Sequence, residues 1–349
     1  MEPDVPDFVA DRARTTVEEL GVSENVRLAE ELVSEALGLI TDQPPTLDLK
    51  IATAALTEMR RAFAVFAPYE DAKKVTIFGS ARTRPDDPLY LQARRLAAAL
   101  AEQGWMTVTG AGPGIMEAGM EGAGRERSIG VSIRLPFESS ANSIIADDDK
   151  HVSMKYFFTR KVMLVKESHA FACLPGGFGT LDETFELLTL TQTGKGVPVP
   201  IVLLEAPGDD YWHEIDRTVR TQLLRRGLVA PADAELYTVT DSCADAVAHI
   251  AGFYANYHSI RHIGSQLVIR LQQAPDDEQL ELLNSRFAHL AARGSIRRVE
   301  TSRVERRDDD VVDLPRIGFE WGRRGYSDLV GLIRTVNAFT DRRDRAPRR

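Results

Sequence analysis

The stretch Ala170-Phe171-Ala172-Cys173-Leu174-Pro175-Gly176-Gly177-Phe178-Gly179-Thr180-Leu181-Asp182-Glu183 decides how the rest of the chain is read. An unbroken apolar run predicts a short strand buried on both faces. Proline and the glycines close it, and Thr180 is placed to cap the helix that follows. Strand, glycine-rich turn and helix in that order point free backbone N–H groups at one spot, which suits an anion. Gly79-Ser80, after Val75-Thr76-Ile77-Phe78, and Gly110 to Gly114, after Trp105 to Thr109, are further strand-to-helix turns. In an open α/β sheet such ends lie along one edge, where ligands bind. One phosphorylated ligand is therefore expected to reach Gly79, Ser80, Gly110, Gly112, Gly176, Gly177, Gly179 and Thr180.

Outward from this stretch, strands alternate with helices. Helical patterns cover Pro88 to Glu102, Gly114 to Arg125, Tyr156 to Glu167, Trp212 to Arg225 and Ala244 to Tyr254; strands are expected at Ile129 to Ile133, Val199 to Leu204 and Tyr237 to Thr240. This alternation predicts an α/β fold, a Rossmann-like doubly wound parallel sheet over residues 71–258. Residues 1–70 read as an N-terminal helical appendage with helices at Phe8 to Glu19, Glu24 to Ile40 and Leu47 to Phe66. The last two are separated by Thr41-Asp42-Gln43-Pro44-Pro45. Residues 259–340 read as a small α+β module. Its strands are expected at Leu267 to Leu271, Ile296 to Glu300 and Arg316 to Trp321, its helices at Asp276 to Ala292 and Tyr326 to Phe339. Arg303 to Asp313 is expected to be a solvated charged loop, and residues 341–349 a polar tail.

Composition excludes several classes. A formal net charge of −9 argues against a general nucleic-acid binder. Cys173 and Cys243 have no CxxC or histidine spacing and read as buried thiols. No metal site is expected, and His151 and His169 read as satisfied or exposed histidines. Gly110 to Gly114 fails as a dinucleotide fingerprint because Ile115 stands where the last glycine belongs, and Gly177-Phe178-Gly179 fails at Asp182. With no basic leader, no apolar h-region and no membrane-length apolar run, the expected location is the cytoplasm and no membrane contact is expected.

Pro175-Gly176-Gly177-x-Gly179-Thr180-x-x-Glu183, with Arg160-Lys161 upstream and Met154 before them, resembles the PGGxGTxxE and M-x-x-RK signatures of the Lonely Guy family. The gap from Met154 to Arg160 is longer than in that signature. Ile77 to Arg82, Thr109 to Ala118 and Leu188 to Lys195 are also similar to the family, above all to its longer bacterial branch. The resemblance covers about Val75 to Tyr254. It implies a cofactor-free nucleoside 5′-monophosphate phosphoribohydrolase that releases a free base and ribose 5-phosphate. Arg160 and Glu183 are the implied catalytic residues. Glu183 would stabilise an oxocarbenium-like ribose and orient or deprotonate water, while Arg160, always charged, would help electrostatically. Lys161, Asp182, Glu186, Glu138 and Thr189 join the glycines, Ser80 and Thr180 as implied substrate contacts. The resemblance also implies at least a homodimer.

Bland alternatives stand beside these readings. Thr180-Leu181-Asp182-Glu183 has the form of a capping box, which would explain Glu183 without chemistry. A non-catalytic nucleotide sensor of the same fold is the competing function, and the C-terminal module has room in this reading for a small effector. Purine, pyrimidine and N6-modified adenosine monophosphates all remain open as substrates, with ordinary nucleotide turnover favoured.

Overall fold

The computed structural model describes residues 6–135, 141–323 and 325–343, and the chain divides between Phe63 and Ala64 into two compact units. In the first unit, α1 (Asp7–Glu19) packs on α2 (Val26–Thr41), and α3 (Thr46–Phe66) runs on across the boundary. Val9, Ala13 and Val17 of α1 are buried, whereas Leu28, Leu32 and Ile40 of α2 are exposed.

The second unit opens with β1 (Lys74–Phe78), α4 (Pro88–Glu102), β2 (Met106–Thr109), α5 (Ile115–Ala123), β3 (Ser128–Ile133) and β4 (His151–Met154). It continues through α6 (Phe157–Lys166), β5 (Ala170–Cys173), α7 (Phe178–Thr193), β6 (Ile201–Leu204), α8 (Tyr211–Thr218), β7 (Tyr237–Thr240) and α9 (Cys243–Gly252). The seven strands form one parallel sheet in the order β4-β3-β2-β1-β5-β6-β7. This is the doubly wound fold the alternation predicts. The chain works outward from β1 to β4, then returns to place β5 beside β1. The strand order therefore reverses between those two, and their carboxyl ends form the crevice where such sheets take ligands. Apolar side chains of β1, β5 and β6 are fully buried against α4, α5 and α9, with Ile77, Leu96, Ile115, Ala172 and Ile250 in one cluster.

The C-terminal part contains β8 (Tyr257–Ile263), β9 (Gln266–Leu271), α10 (Asp277–Phe287), β10 (Ala291–Arg298), α11 (Arg303–Arg307), β11 (Arg316–Trp321) and α12 (Tyr326–Arg343). Its antiparallel sheet has the order β10-β11-β9-β8. Two of these strands escape the sequence pattern. β4 and β8 are edge strands with alternating or partial burial, and neither carries an unbroken apolar run. The expected helix to Ala292 stops at Phe287, because Ala291 already pairs with Trp321 across β10 and β11. The helix expected to Arg225 gives way after Thr218 to a π turn and a 3-10 turn that ends on Gly227 at φ +69°.

Arg303 to Asp313 is largely exposed, as expected, but it is not loop throughout. It contains α11, whose Glu305 is completely buried and binds Arg270 and Arg316. Cys173 is buried as expected, but Cys243, at the start of α9, is only half-buried. Among the described residues no helix is long and apolar enough to cross a membrane.

Candidate active site

The carboxyl ends of β1 and β5 are stitched together. Ser80 N–H donates to Pro175 O (3.3 Å), and Ile115 N–H donates to Ser80 O (3.0 Å), tying in the start of α5. The chain can approach this closely only at glycine. A Cβ on Gly79 would lie 2.5 Å from Ile115 Cγ2, one on Gly114 (φ +70°) 2.4 Å from Ser80 O, and one on Gly176 2.2 Å from Thr180 Oγ1. Gly177 and Gly179 differ, since a Cβ there meets nothing within 4 Å. Their room faces a groove of about 790 Å³ lined by Gly79, Ser80, Arg82, Met116, Arg160, Gly176 to Glu183 and Tyr211.

α7 begins at Phe178 with Gly177 as its N-cap, earlier than the sequence pattern places it. Thr180 is thus inside the first turn and is not a cap, which removes the capping-box explanation of Glu183. The first-turn N–H groups of Phe178, Gly179 and Thr180 have no partner within the helix, and the positive end of the helix dipole adds to them. These are the free N–H groups that the motif foreshadows, in a setting suited to an anion.

Glu183 lies one turn further along α7 and is 6% exposed. Its Oε1 is 4.0 Å from Arg160 Nη1. Burial pushes its carboxyl above the ordinary value; Arg160 and Lys161 pull it down, Glu186 and Asp182 push it up, and the net shift is upward. Arg160 comes from α6 and is fixed by Nε–H donating to Val131 O of β3 (3.0 Å). Its guanidinium occupies the space beside Gly110, where a Cβ would be 2.2 Å from Nη2. Gly110 is therefore the hole that admits Arg160, and Gly112 makes room for the Met116 methyl; neither lines the groove.

The remaining expected contacts separate. Asp182 reaches the groove rim, whereas Lys161, Glu186 and Thr189 line a neighbouring outer hollow of about 580 Å³. There Lys161 Nζ pairs with Asp182 (2.8 Å) and Glu186 (2.7 Å), and Thr189 donates to Phe185 O (2.8 Å). Glu138 lies outside the described residues. Sequence reasoning missed Arg82, Met116 and Tyr211. The first two stand inside the motif stretches around the first two turns, so their position was a usable signal. Tyr211 comes from α8, where nothing local announces it, yet its hydroxyl donates to Gly176 O (2.7 Å) and holds the turn. α8 is itself anchored by the buried Glu205 carboxylate, which accepts from Trp212 N–H (2.7 Å) and bonds His213.

Of the two histidines near the motifs, His169 Nδ1 accepts from Lys74 N–H, and burial lowers its pKa to about 4. His151 bonds Ser132 Oγ (2.9 Å). Among the described residues no group of His, Cys, Asp or Glu is arranged to hold a metal ion.

Residues 106–250, from β2 into α9, match a family model described as "Possible lysine decarboxylase". The chain is 32% identical over 161 residues to a cytokinin riboside 5′-monophosphate phosphoribohydrolase of Mycobacterium tuberculosis, covering 44% of this chain and 81% of that protein. It is 29% identical over 168 residues to a protein of the same description from Mycobacterium marinum, covering 47% and 86%. A solved structure of the molybdenum cofactor carrier protein from Chlamydomonas reinhardtii aligns at 21% identity and a TM-score of 0.35, over 52% of this chain and 96% of its own.

Proposed function

The chain belongs to the Lonely Guy family, that of the cytokinin riboside 5′-monophosphate phosphoribohydrolases, and from that premise we propose that it hydrolyses the N-glycosidic bond of a nucleoside 5′-monophosphate. The products are a free base and ribose 5-phosphate. One observation carries the reading: the α7 N–H cradle and the buried Arg160–Glu183 pair open into the same groove.

The 5′-phosphate sits on the N–H groups of Phe178, Gly179 and Thr180, with the Thr180 hydroxyl beside them. This anchors the ribose one helical turn from Glu183. As the base departs, positive charge grows on the ribose, and an ionised Glu183 in a desolvated setting stabilises it and takes the proton of the attacking water. Arg160 cannot give up a proton, so it acts by stabilising negative charge on the leaving base. Tyr211 positions the cradle through Gly176.

Self-association belongs to the same reading. Phe157, Phe158 and Val162 of α6 and Phe178 and Phe185 of α7 are exposed around the groove and hollow, an apolar face suited to a second copy of the chain. Light scattering after gel filtration tests this, and a monomer at assay concentration counts against it.

The activity is tested by chromatography of free base and ribose 5-phosphate after incubation with purine, pyrimidine and N6-modified adenosine monophosphates. Release from at least one of them, deeply reduced in folded Glu183→Gln and Arg160→Ala proteins, is the expected result. Saturable nucleotide binding without release from any of them makes the chain a sensor instead.

A further inference from the structure

Arg334, on α12, is an arginine whose charge the protein matches poorly. Its side chain is 31% exposed, its Nε is buried without a hydrogen-bond partner, and its ion pair is a 3.7 Å contact to Glu235, itself 73% exposed. Two fully buried arginines of the same module show what full matching looks like. Arg270 donates to Glu305 and Asp310 at 2.7–3.1 Å, and Arg316 donates to Glu305 and three backbone carbonyls. A guanidinium stays charged when buried, and a desolvated charge is stable only when hydrogen-bonded to a counter-charge. Among the described residues Arg334 has no hydrogen-bonded counter-charge.

The residue lines a cavity of about 280 Å³ formed by α10, α12 and the 3-10 turn Pro231–Glu235. Arg286 of α10 is a second cation there, held over the Phe287 ring at 5.3 Å and, among the described residues, in no ion pair. Leu282, Ala338 and Phe339 give the rest of the wall an apolar character. Two arginines lining one cavity with an apolar wall are the chemistry of carboxylate or phosphate recognition. The volume lies at the small end of ligand pockets, which favours a compact ligand.

We propose that this cavity binds a small organic anion, a carboxylate or phosphate on a compact apolar body, through Arg334 and Arg286. The occupant displaces Glu235 from Arg334. Its position gives it leverage, because Asp233 in the same short turn accepts from Gln192 at the end of α7 and from Ser327 at the start of α12, both at 2.5 Å. α7 is the helix whose other end forms the cradle, so the anion acts beside the anchor of the proposed catalytic helix. The site itself does not depend on the proposed activity.

The test is phenylglyoxal labelling of the full chain with peptide mass spectrometry, read at Arg286, with inorganic phosphate and succinate as separate probes. One or both probes are expected to slow Arg286 labelling, and Arg334→Gln to weaken that protection about tenfold or more. Protection by phosphate alone assigns a phosphate ligand, and protection by succinate, alone or with phosphate, a carboxylate. Unchanged Arg286 labelling at saturating millimolar probe overturns the site, as does protection that persists undiminished in folded Arg334→Gln. Should that variant fail to fold, the thermal shift given by the same probes is compared between wild type and Arg286→Gln. A shift undiminished in Arg286→Gln overturns the proposal and a reduced one supports it, any phosphate-induced remainder belonging to the N–H groups at the start of α7.

Discussion

Arg160 Nη1 stands 4.0 Å from Glu183 Oε1, beyond hydrogen-bond reach, although both side chains are about nine-tenths buried. The pair is close enough to interact and too far apart to neutralise, and burial holds the Glu183 carboxyl above its ordinary value of 4.5. Between its unfolded and its raised folded pKa the native protein binds the extra proton. Glu183 therefore favours the fold below the unfolded value, and that contribution is lost as pH rises through the folded one. Glu183→Gln is expected to lower activity by roughly 10²–10⁴ while its melting temperature above that window is no lower than that of the wild type. In the wild type, the acid limb of kcat/KM should lie above the ordinary carboxylate value, because the ionised form is the working one. A melting temperature well below that of the wild type at neutral pH would mean that Glu183 is structural.

Gly110 supplies the second prediction. Its missing side chain is the space the Arg160 guanidinium fills, with Met116 Sδ 2.8 Å from the same point. Gly110→Ala forces Arg160 out of position and crowds Met116, although Gly110 itself does not line the groove. Its loss of activity should approach that of Arg160→Ala, and combining the two changes should add little, since both act through one group. Losses that multiply would place Gly110 in an independent role.

The cradle glycines divide into two kinds, so alanine substitution should separate folding from binding. Gly176→Ala meets Thr180 Oγ1 at 2.2 Å and Ser80 N at 3.0 Å, so it is expected to lower stability by about 1–3 kcal/mol. Gly177→Ala and Gly179→Ala meet nothing in the free chain. Gly179→Ala is expected to leave the melting temperature unchanged or slightly raised, since alanine loses less backbone freedom than glycine on folding, whereas Gly177→Ala, at the N-cap of α7, is expected to lower it slightly. Their methyl groups instead take up ligand space, so KM should rise most. Normal KM in both variants would remove the phosphate from this turn.

The sheet was readable because β1, β2 and β5 end in glycine turns and β5 and β6 are apolar runs. β4 and β8 carry no apolar run, since an edge strand is held by pairing to a neighbour rather than by its own burial, and pairing leaves no local mark. Glu183 was found for a reason its four-residue context would not have supplied. The capping-box form pointed to Thr180 as the helix start, whereas the fold starts the helix at Phe178 because Gly177 already has the extended N-cap conformation. Tyr211 and the Gly110–Arg160 fit are tertiary facts between distant segments. Glu305 shows the opposite failure: a run of charges looks solvated until two arginines from other strands arrive to meet it.

That last arrangement gives a prediction about stability. Glu305 is fully buried, its Oε1 accepts from Arg270 (2.9 and 3.1 Å) and Arg316 (2.7 Å), and its Oε2 accepts from Ser302 N–H (3.0 Å). Burial alone would raise its pKa, but the Ser302 N–H, Arg270 and Arg316 together hold it below the ordinary value. The sign is therefore opposite to that of Glu183. Its contribution is present above the unfolded pKa and is lost as pH falls through the lower folded one, with Asp310 shifted the same way by Arg270. Glu305→Gln leaves two buried guanidinium groups short of charge and is expected to cost about 3–5 kcal/mol. In thermal melts near neutral pH this is a drop of roughly 5–15 °C. The variant should also lose much of the wild type's acid sensitivity below the ordinary carboxylate range. An unchanged melting curve, or an acid limb that survives the substitution intact, would show that the module is held by its apolar core and that the ion cluster adds nothing.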